Sequence, residues 1–122
     1  MASPETEAAT GATADNGSIT FPRGSLWRAY NGGLKNGMPH GFGKAFVSGT
    51  TKYTFQFYCG MWKDGKRHGH GVYYYDSGDK YTGNWEHGKQ CGHGVYVYAN
   101  GDRYVGNWAG GKHHGEGTYY FK

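Results

Sequence analysis

The side chains of this chain that could do chemistry recur at fixed intervals. Three segments read G-x-x-x-x-G-K: Gly60 to Lys66, Gly83 to Lys89 and Gly106 to Lys112. That spacing imitates a phosphate-binding loop, but Arg67, Gln90 and His113 follow, where a metal-binding hydroxyl is needed. No helix N-terminus is expected beside these segments to hold phosphate. The histidines invite a metal reading, since His40, His68 and His114 share one repeat position and His70 and His93 lie two places further on. A zinc site needs three or four convergent ligands. Equivalent positions of successive two-strand units stand about 10 Å apart, too far to share one ion. Packing at the turn beside Gly69 is the expected role, with a contribution to the basic field when they charge near pH 6. Paired carboxylates are absent, Ser is scarce within the repeats, and neither Cys59 nor Cys91 has a recurring His beside it. The expectation is a chain that is not an enzyme and holds no metal or cofactor.

The elements that would position these residues follow from a 23-residue period. Tyr58, Tyr81 and Tyr104 each open the pattern Y-x-G-x-W-x-x-G-x-x-x-G-x-G, with Gly60, Gly83 and Gly106 third and Trp62, Trp85 and Trp108 fifth. A weaker copy opens at Tyr30 and has Leu34 in place of Trp. Such periodicity marks a repeat architecture, which presents a long surface rather than a pocket. Within a copy, Tyr81-Thr-Gly-Asn-Trp85 and Gly94-Val-Tyr-Val-Tyr98 alternate as strands do. Glycine in a strand marks close approach of something bulky, so aromatic rings are expected to lie over the glycines of neighbouring strands. Asp76-Ser-Gly-Asp79 and Ala99-Asn-Gly-Asp102 carry turn chemistry. The prediction is two strands per copy and a ribbon roughly 40 Å long.

Composition fits one domain in which 12 Tyr, six Phe and four Trp supply the burial. Residues 1–20 hold Glu5, Glu7 and Asp15 and no Lys or Arg; the remainder holds 13 basic side chains against six acidic, a net of +7. A basic body suits acidic partners without selecting one. Cys59 and Cys91 occupy different repeat positions, so no disulfide framework is expected, and a reducing, intracellular setting is the default. No apolar run approaches transmembrane length and no signal-peptide core follows Met1, so the Asn16-Gly-Ser18 sequon is expected to be idle.

From Tyr30 to Lys122 the chain resembles the MORN (membrane occupation and recognition nexus) repeat family. Three copies carry every Tyr, Trp and Gly position in register, and Phe21-Pro-Arg-Gly24-Ser-Leu-Trp27 matches the spacing of Tyr98-Ala-Asn-Gly101-Asp-Arg-Tyr104. The resemblance implies an all-β fold: an elongated, single-layer antiparallel meander of hairpins, four copies plus an N-terminal half-copy. Residues 1–17 are expected to form a flexible acidic tail and residues 18–122 the array, with copies starting near 30, 58, 81 and 104. The resemblance also implies scaffolding or localisation rather than catalysis.

Two departures bear on where partners would bind. Tyr30 to Tyr58 spans 28 residues, and the extra stretch Tyr53-Thr-Phe-Gln-Phe57 alternates strictly. Without a bulge, Phe55, Phe57, Cys59 and Met61 lie opposite Tyr58, Gly60 and Trp62, as an exposed apolar patch. A bulge would return those rings to the core. In the second strands, Val72, Tyr74, Val95, Val97, Thr118 and Tyr120 form an apolar stripe opposite the Tyr-Gly face. One layer cannot hide two apolar faces, so Phe55, Phe57, Met61, Val72, Tyr74, Val95, Val97 and Tyr120 are expected to meet partner protein. The Arg67-His-Gly-His-Gly-Val-Tyr-Tyr-Tyr75 run is similar to radial-spoke-head members of the family, which implies a subunit of a ciliary or flagellar axoneme. Self-association is a further route to covering the stripe.

The competing reading is membrane apposition. Lys63, Lys66, Arg67, Lys89 and Lys112 cluster at the first turns and could hold anionic phospholipid at about 1 kcal/mol each. Solvated turn lysines are the preferred explanation, since no lipid anchor or amphipathic helix adds a second signal. Nucleic acid is disfavoured because the Tyr and Trp are committed to packing. The last copy stops at Phe121-Lys122 without a polar cap, so a partner, a second copy or further chain is expected there.

Overall fold

Alternation of aromatic, glycine and small polar residues makes every copy a β-hairpin. The structure, a computed structural model, describes residues 16–20, 27–49 and 54–122. Among these, nine strands form one open antiparallel sheet in sequence order: β1 Asn16–Thr20, β2 Trp27–Lys35, β3 Met38–Ser48, β4 Phe55–Lys63, β5 Lys66–Tyr74, β6 Lys80–Glu86, β7 Lys89–Val97, β8 Arg103–Ala109 and β9 Lys112–Tyr120. The four copies are the hairpins β2–β3, β4–β5, β6–β7 and β8–β9, so the expected meander is what forms. β1 begins at Asn16, two residues ahead of the expected array boundary. The tail over residues 1–15, the half-copy residues 21–26 and Tyr53 lie outside the described residues.

The hairpin turns explain the glycine after each Trp. Asp64-Gly65 and His87-Gly88 have φ values of 49° and 83°, and 50° and 80°; Asn36-Gly37 and Gly110-Gly111 behave alike. Two successive positive φ values define the two-residue turn whose twist matches paired strands. The next glycine of each copy, Gly41, Gly69, Gly92 or Gly115, also has positive φ and lies where the hairpin register slips by two residues on the second strand. It therefore makes a bulge.

The last glycine of the motif has a different task. A methyl on Gly43, Gly71, Gly94 or Gly117 would overlap the ring and hydroxyl of Tyr30, Tyr58, Tyr81 or Tyr104, which lie flat across it. Each of these hydroxyls donates to the carbonyl three residues on: Gly33 (2.6 Å), Met61 (2.8 Å), Asn84 (3.0 Å) and Asn107 (3.2 Å). The indoles then tie copy to copy. Trp62, Trp85 and Trp108 Nε1 donate to the Gly43, Gly71 and Gly94 carbonyls of the preceding copy at 3.2, 3.2 and 3.4 Å. Their rings meet the neighbouring tyrosines edge to face; Tyr58, for example, sits 5.1 Å from Trp62 and 5.4 Å from Trp85. Edge-to-face pairs satisfy the ring quadrupoles, and these carry the core along with Leu34, Val47 and Trp27.

Candidate functional site

The opposite face of the sheet carries apolar side chains as well, and among the described residues nothing covers it. No bulge interrupts the β3–β4 pairing, which runs unbroken from Gly41↔Trp62 to Ser48↔Phe55. Phe55, Phe57 and Met61 therefore stay on the outer face, which settles the alternative in favour of an exposed patch. Phe55 is 58% exposed and Met61 41%, against 0% for Tyr58 and 3% for Trp62. Cross-strand register gathers the remainder into two rows. One runs Cys59, Val72, Thr82, Val95, Val105, Thr118. The other runs Phe46, Phe57, Tyr74, Lys80, Val97, Arg103, Tyr120.

The second row is the more exposed. Phe57 contacts Phe46 at 4.9 Å and Tyr74 at 5.9 Å, so β3, β4 and β5 share one aromatic cluster. Further along, the Arg103 guanidinium lies 4.3 Å from the Tyr120 ring and the Lys80 ammonium 6.0 Å from Tyr74. Cations stacked on exposed rings keep these positions wet at one end and apolar at the other. Val72, Val95 and Val97 are half-buried by neighbours in the rows. All eight residues expected from sequence to meet a partner thus share this face.

Sequence reasoning missed Phe42 and Phe46, 55% and 48% exposed on β3. Phe46 stands at the same offset from Tyr30 as Tyr74 from Tyr58, so the repeat register held the signal. The weak first copy, without its Trp, obscured it.

The basic edge is only partly as expected. Lys63 and Lys66 face one another across the Asp64-Gly65 turn, and with Asp64, His68 and His87 they line a shallow depression. Glu86, His87, Lys89, Gln90, Cys91 and Gly110 line a second one, a copy further on. Lys112 is exposed at the equivalent place. Asp64 and Glu86 interleave with the lysines, so the edge is mixed in sign. His40 and Asp64 meet here, with Nδ1 accepting from the Asp64 N–H at 3.3 Å, which is the packing role anticipated for the turn histidines.

Arg67 is a correction: it does not belong to that edge. It pairs with Trp62 across the hairpin and turns onto the Tyr-Trp face. Its guanidinium lies 4.5 Å from the Trp85 ring centroid, 5.2 Å from Tyr73 and 5.6 Å from Trp27, and donates to the Gly88 carbonyl at 2.7 Å. The flat, weakly hydrated guanidinium stacks where an ammonium would not. Gln90 and His113 take the same place in later copies. Gln90 Nε2 donates to Tyr75 Oη at 2.9 Å, and the His113 ring stacks on Tyr104 at 3.8 Å.

Burial pushes the Tyr30 phenol up to about 12 and raises Tyr81 and Tyr96 as well. Burial also raises the Cys91 thiol, which makes it a poorer nucleophile. Among the described residues no group of three or more His, Cys, Asp or Glu converges on a metal position, and no helix is long and apolar enough to cross a membrane.

A model of the MORN repeat matches residues 30–51, 58–80, 81–103 and 104–122, the four hairpins just described. Alsin of Homo sapiens and Alsin of Mus musculus are each 35% identical to this chain over 67 residues, and Alsin of Rattus norvegicus 34%. Those alignments cover 55% of this chain and 4% of Alsin, so the likeness concerns a small part of a much longer protein. Repeats of this kind generally serve as interaction or membrane-association modules and generally carry no catalysis. Four matched copies, each with its tyrosine laid over a glycine and the last three with an indole tied to the copy before, place the chain in the MORN repeat family.

Proposed function

We propose that this chain is a non-catalytic scaffold subunit of a cytoskeletal assembly inside the cell, of the ciliary or flagellar axoneme in particular, and that it docks partner subunits through the outer face. The observation that carries this reading is the exposed cluster Phe42, Phe46, Phe55, Met61 and Tyr74 on a sheet whose other face is already filled by its own Tyr and Trp. Contiguous apolar surface of this kind rarely goes unused. The axonemal assignment rests on the likeness of the Arg67–Tyr75 run and its surroundings to radial-spoke-head proteins.

Affinity purification of the tagged chain from ciliated cells, followed by mass spectrometry, tests it. Axonemal subunits should accompany the wild type and be lost with Phe46→Glu/Phe55→Glu, whose side chains are half exposed and so leave the core alone. Equal recovery with that variant would remove the outer face from the account.

Membrane apposition is the second reading, favoured by Lys63 and Lys66 paired across one turn beside His68 and His87. It predicts co-sedimentation with anionic vesicles at low salt that collapses on adding salt and with Lys63→Glu/Lys66→Glu. Outer-face docking should persist in salt.

A further inference from the structure

An aromatic stripe crosses the Tyr-Gly face at the end away from the hairpin turns. Ring centroids step from Tyr73 to Tyr75 (4.5 Å), Tyr96 (5.7 Å), Tyr98 (4.8 Å), Tyr119 (5.6 Å) and Phe121 (4.9 Å). Tyr73 is buried, Tyr75, Tyr96 and Tyr98 are half-buried, and Tyr119 and Phe121 are 40% and 81% exposed. Tyr73 and Tyr96 also meet Trp85 and Trp108 at 5.9 and 5.8 Å, so one side of the stripe rests on the core, while the open sides of Tyr75, Tyr96 and Tyr98 and the exposed Tyr119 and Phe121 remain accessible.

Its period is two strands, roughly 9.6 Å. A polyproline II helix advances 3.1 Å per residue with three residues per turn, or about 9.3 Å. Successive turns of such a ligand would meet equivalent rings in successive copies. Carboxylates repeat with the rings. Asp79 accepts from the Tyr96 hydroxyl (2.7 Å) and the Ala99 N–H (2.8 Å), and Asp102 from the Tyr119 hydroxyl (3.3 Å) and the Lys122 N–H (3.0 Å). Each is thereby fixed against the stripe. Lys122 offsets part of the charge at Asp102, which makes Asp79 the stronger anionic point. The Tyr75 hydroxyl accepts from Gln90, which leaves its own proton to offer a ligand carbonyl.

We propose that this stripe binds a proline-rich segment in the polyproline II conformation, prolines lying on the rings and a basic residue at every third position meeting Asp79 and Asp102. Aromatic rows suit such ligands because the extended helix is preformed and loses little entropy on docking. This surface is separate from the outer face, so either can fail while the other stands.

The full chain is titrated by calorimetry with a peptide of repeated Pro-Pro-Arg units and with a Gly-Ser-Arg peptide of equal length and charge. The expected result is saturable binding of the first alone, weakened about tenfold by Tyr98→Ala. Phe121→Ala, at a highly exposed position, provides a variant whose fold is undisturbed and should weaken binding in the same direction. Asp79→Asn should weaken it too. Absence of saturation by about 1 mM Pro-Pro-Arg peptide, equal binding of the glycine-serine peptide, or unchanged affinity in folded Tyr98→Ala and Phe121→Ala proteins would overturn the proposal.

Discussion

Gly94→Ala isolates the contact on which the repeat spacing depends. A methyl on Gly94 would stand 2.5 Å from Tyr81 Cζ and 2.6 Å from Cε1, with the hydroxyl nearer still. Ordinary carbon contacts lie at about 3.5–4.0 Å, so the ring must retreat by about 1 Å. It has little room to do so. Tyr81 is fully buried, Trp85 and Trp108 abut it at 5.2 and 5.1 Å, and its hydroxyl is tied to Asn84. Overpacking costs about 1–3 kcal/mol and loss of the hydroxyl bond about 1 kcal/mol, so a total near 3 kcal/mol is expected. At this chain length that lowers Tm by roughly 10–15 °C. Gly94 is not among the left-handed glycines, so strain adds nothing. Gly115→Ala supplies the contrast: φ is 66° and nothing lies within 4 Å of the new methyl, leaving strain alone. That strain is worth about 1 kcal/mol. Tyr81→Phe removes the oxygen nearest the methyl, so Gly94→Ala should cost about 1 kcal/mol less in that background. Urea and thermal unfolding followed by circular dichroism give all four numbers. A loss below about 1 kcal/mol for Gly94→Ala, or one equal to that of Gly115→Ala, would refute the ring-over-glycine account.

Arg67→Ala should cost about 2 kcal/mol, since it removes a stacked guanidinium and its bond to Gly88, whereas exposed Lys63→Ala should stay within about 0.5 kcal/mol. Chemical denaturation compares the two, and equal effects would return Arg67 to the basic edge. His87 has φ 50°, so His87→Gly should stabilise by about 0.5 kcal/mol and His87→Val destabilise by about 1 kcal/mol or more. A stabilising valine would contradict the turn assignment. The buried phenols make the fold sensitive to alkali. An unfolded tyrosine ionises near pH 10, while Tyr30 is held up to about 12. A folded value raised in this way leaves stability intact below about pH 10 and erodes it as pH rises towards about 12. Melting temperatures across that range, read beside phenolate absorbance, should fall together with ionisation, and a flat profile would exclude the linkage.

Much of the fold was legible because the period fixed the strands and the alternation fixed their faces. Tyr81, Gly83 and Trp85 share a face as read, and the outer position of Phe57 follows from the same parity. What the sequence could not convey was which glycine did which task. Gly92 and Gly94 look alike in a motif, yet one makes a bulge and the other floors a tyrosine, because only the paired strand decides the register. The bulge also turns Arg67 inward, so a residue that read as one more turn cation became part of the aromatic packing. The ties of Gln56, Asp79 and Asp102 to the Tyr73, Tyr96 and Tyr119 hydroxyls went unread for a related reason. They join residues 17 apart in sequence, a separation that no local pattern displays.

The most direct test of the outer face as a docking surface is co-sedimentation of the purified chain with isolated axonemes across a salt series. Wild type, Phe46→Glu/Phe55→Glu and Lys63→Glu/Lys66→Glu are compared side by side. The account predicts that wild type and the lysine variant stay bound as salt rises while the phenylalanine variant is lost from the pellet. Salt-sensitive binding abolished by the lysine substitutions and untouched by the phenylalanine ones would contradict it.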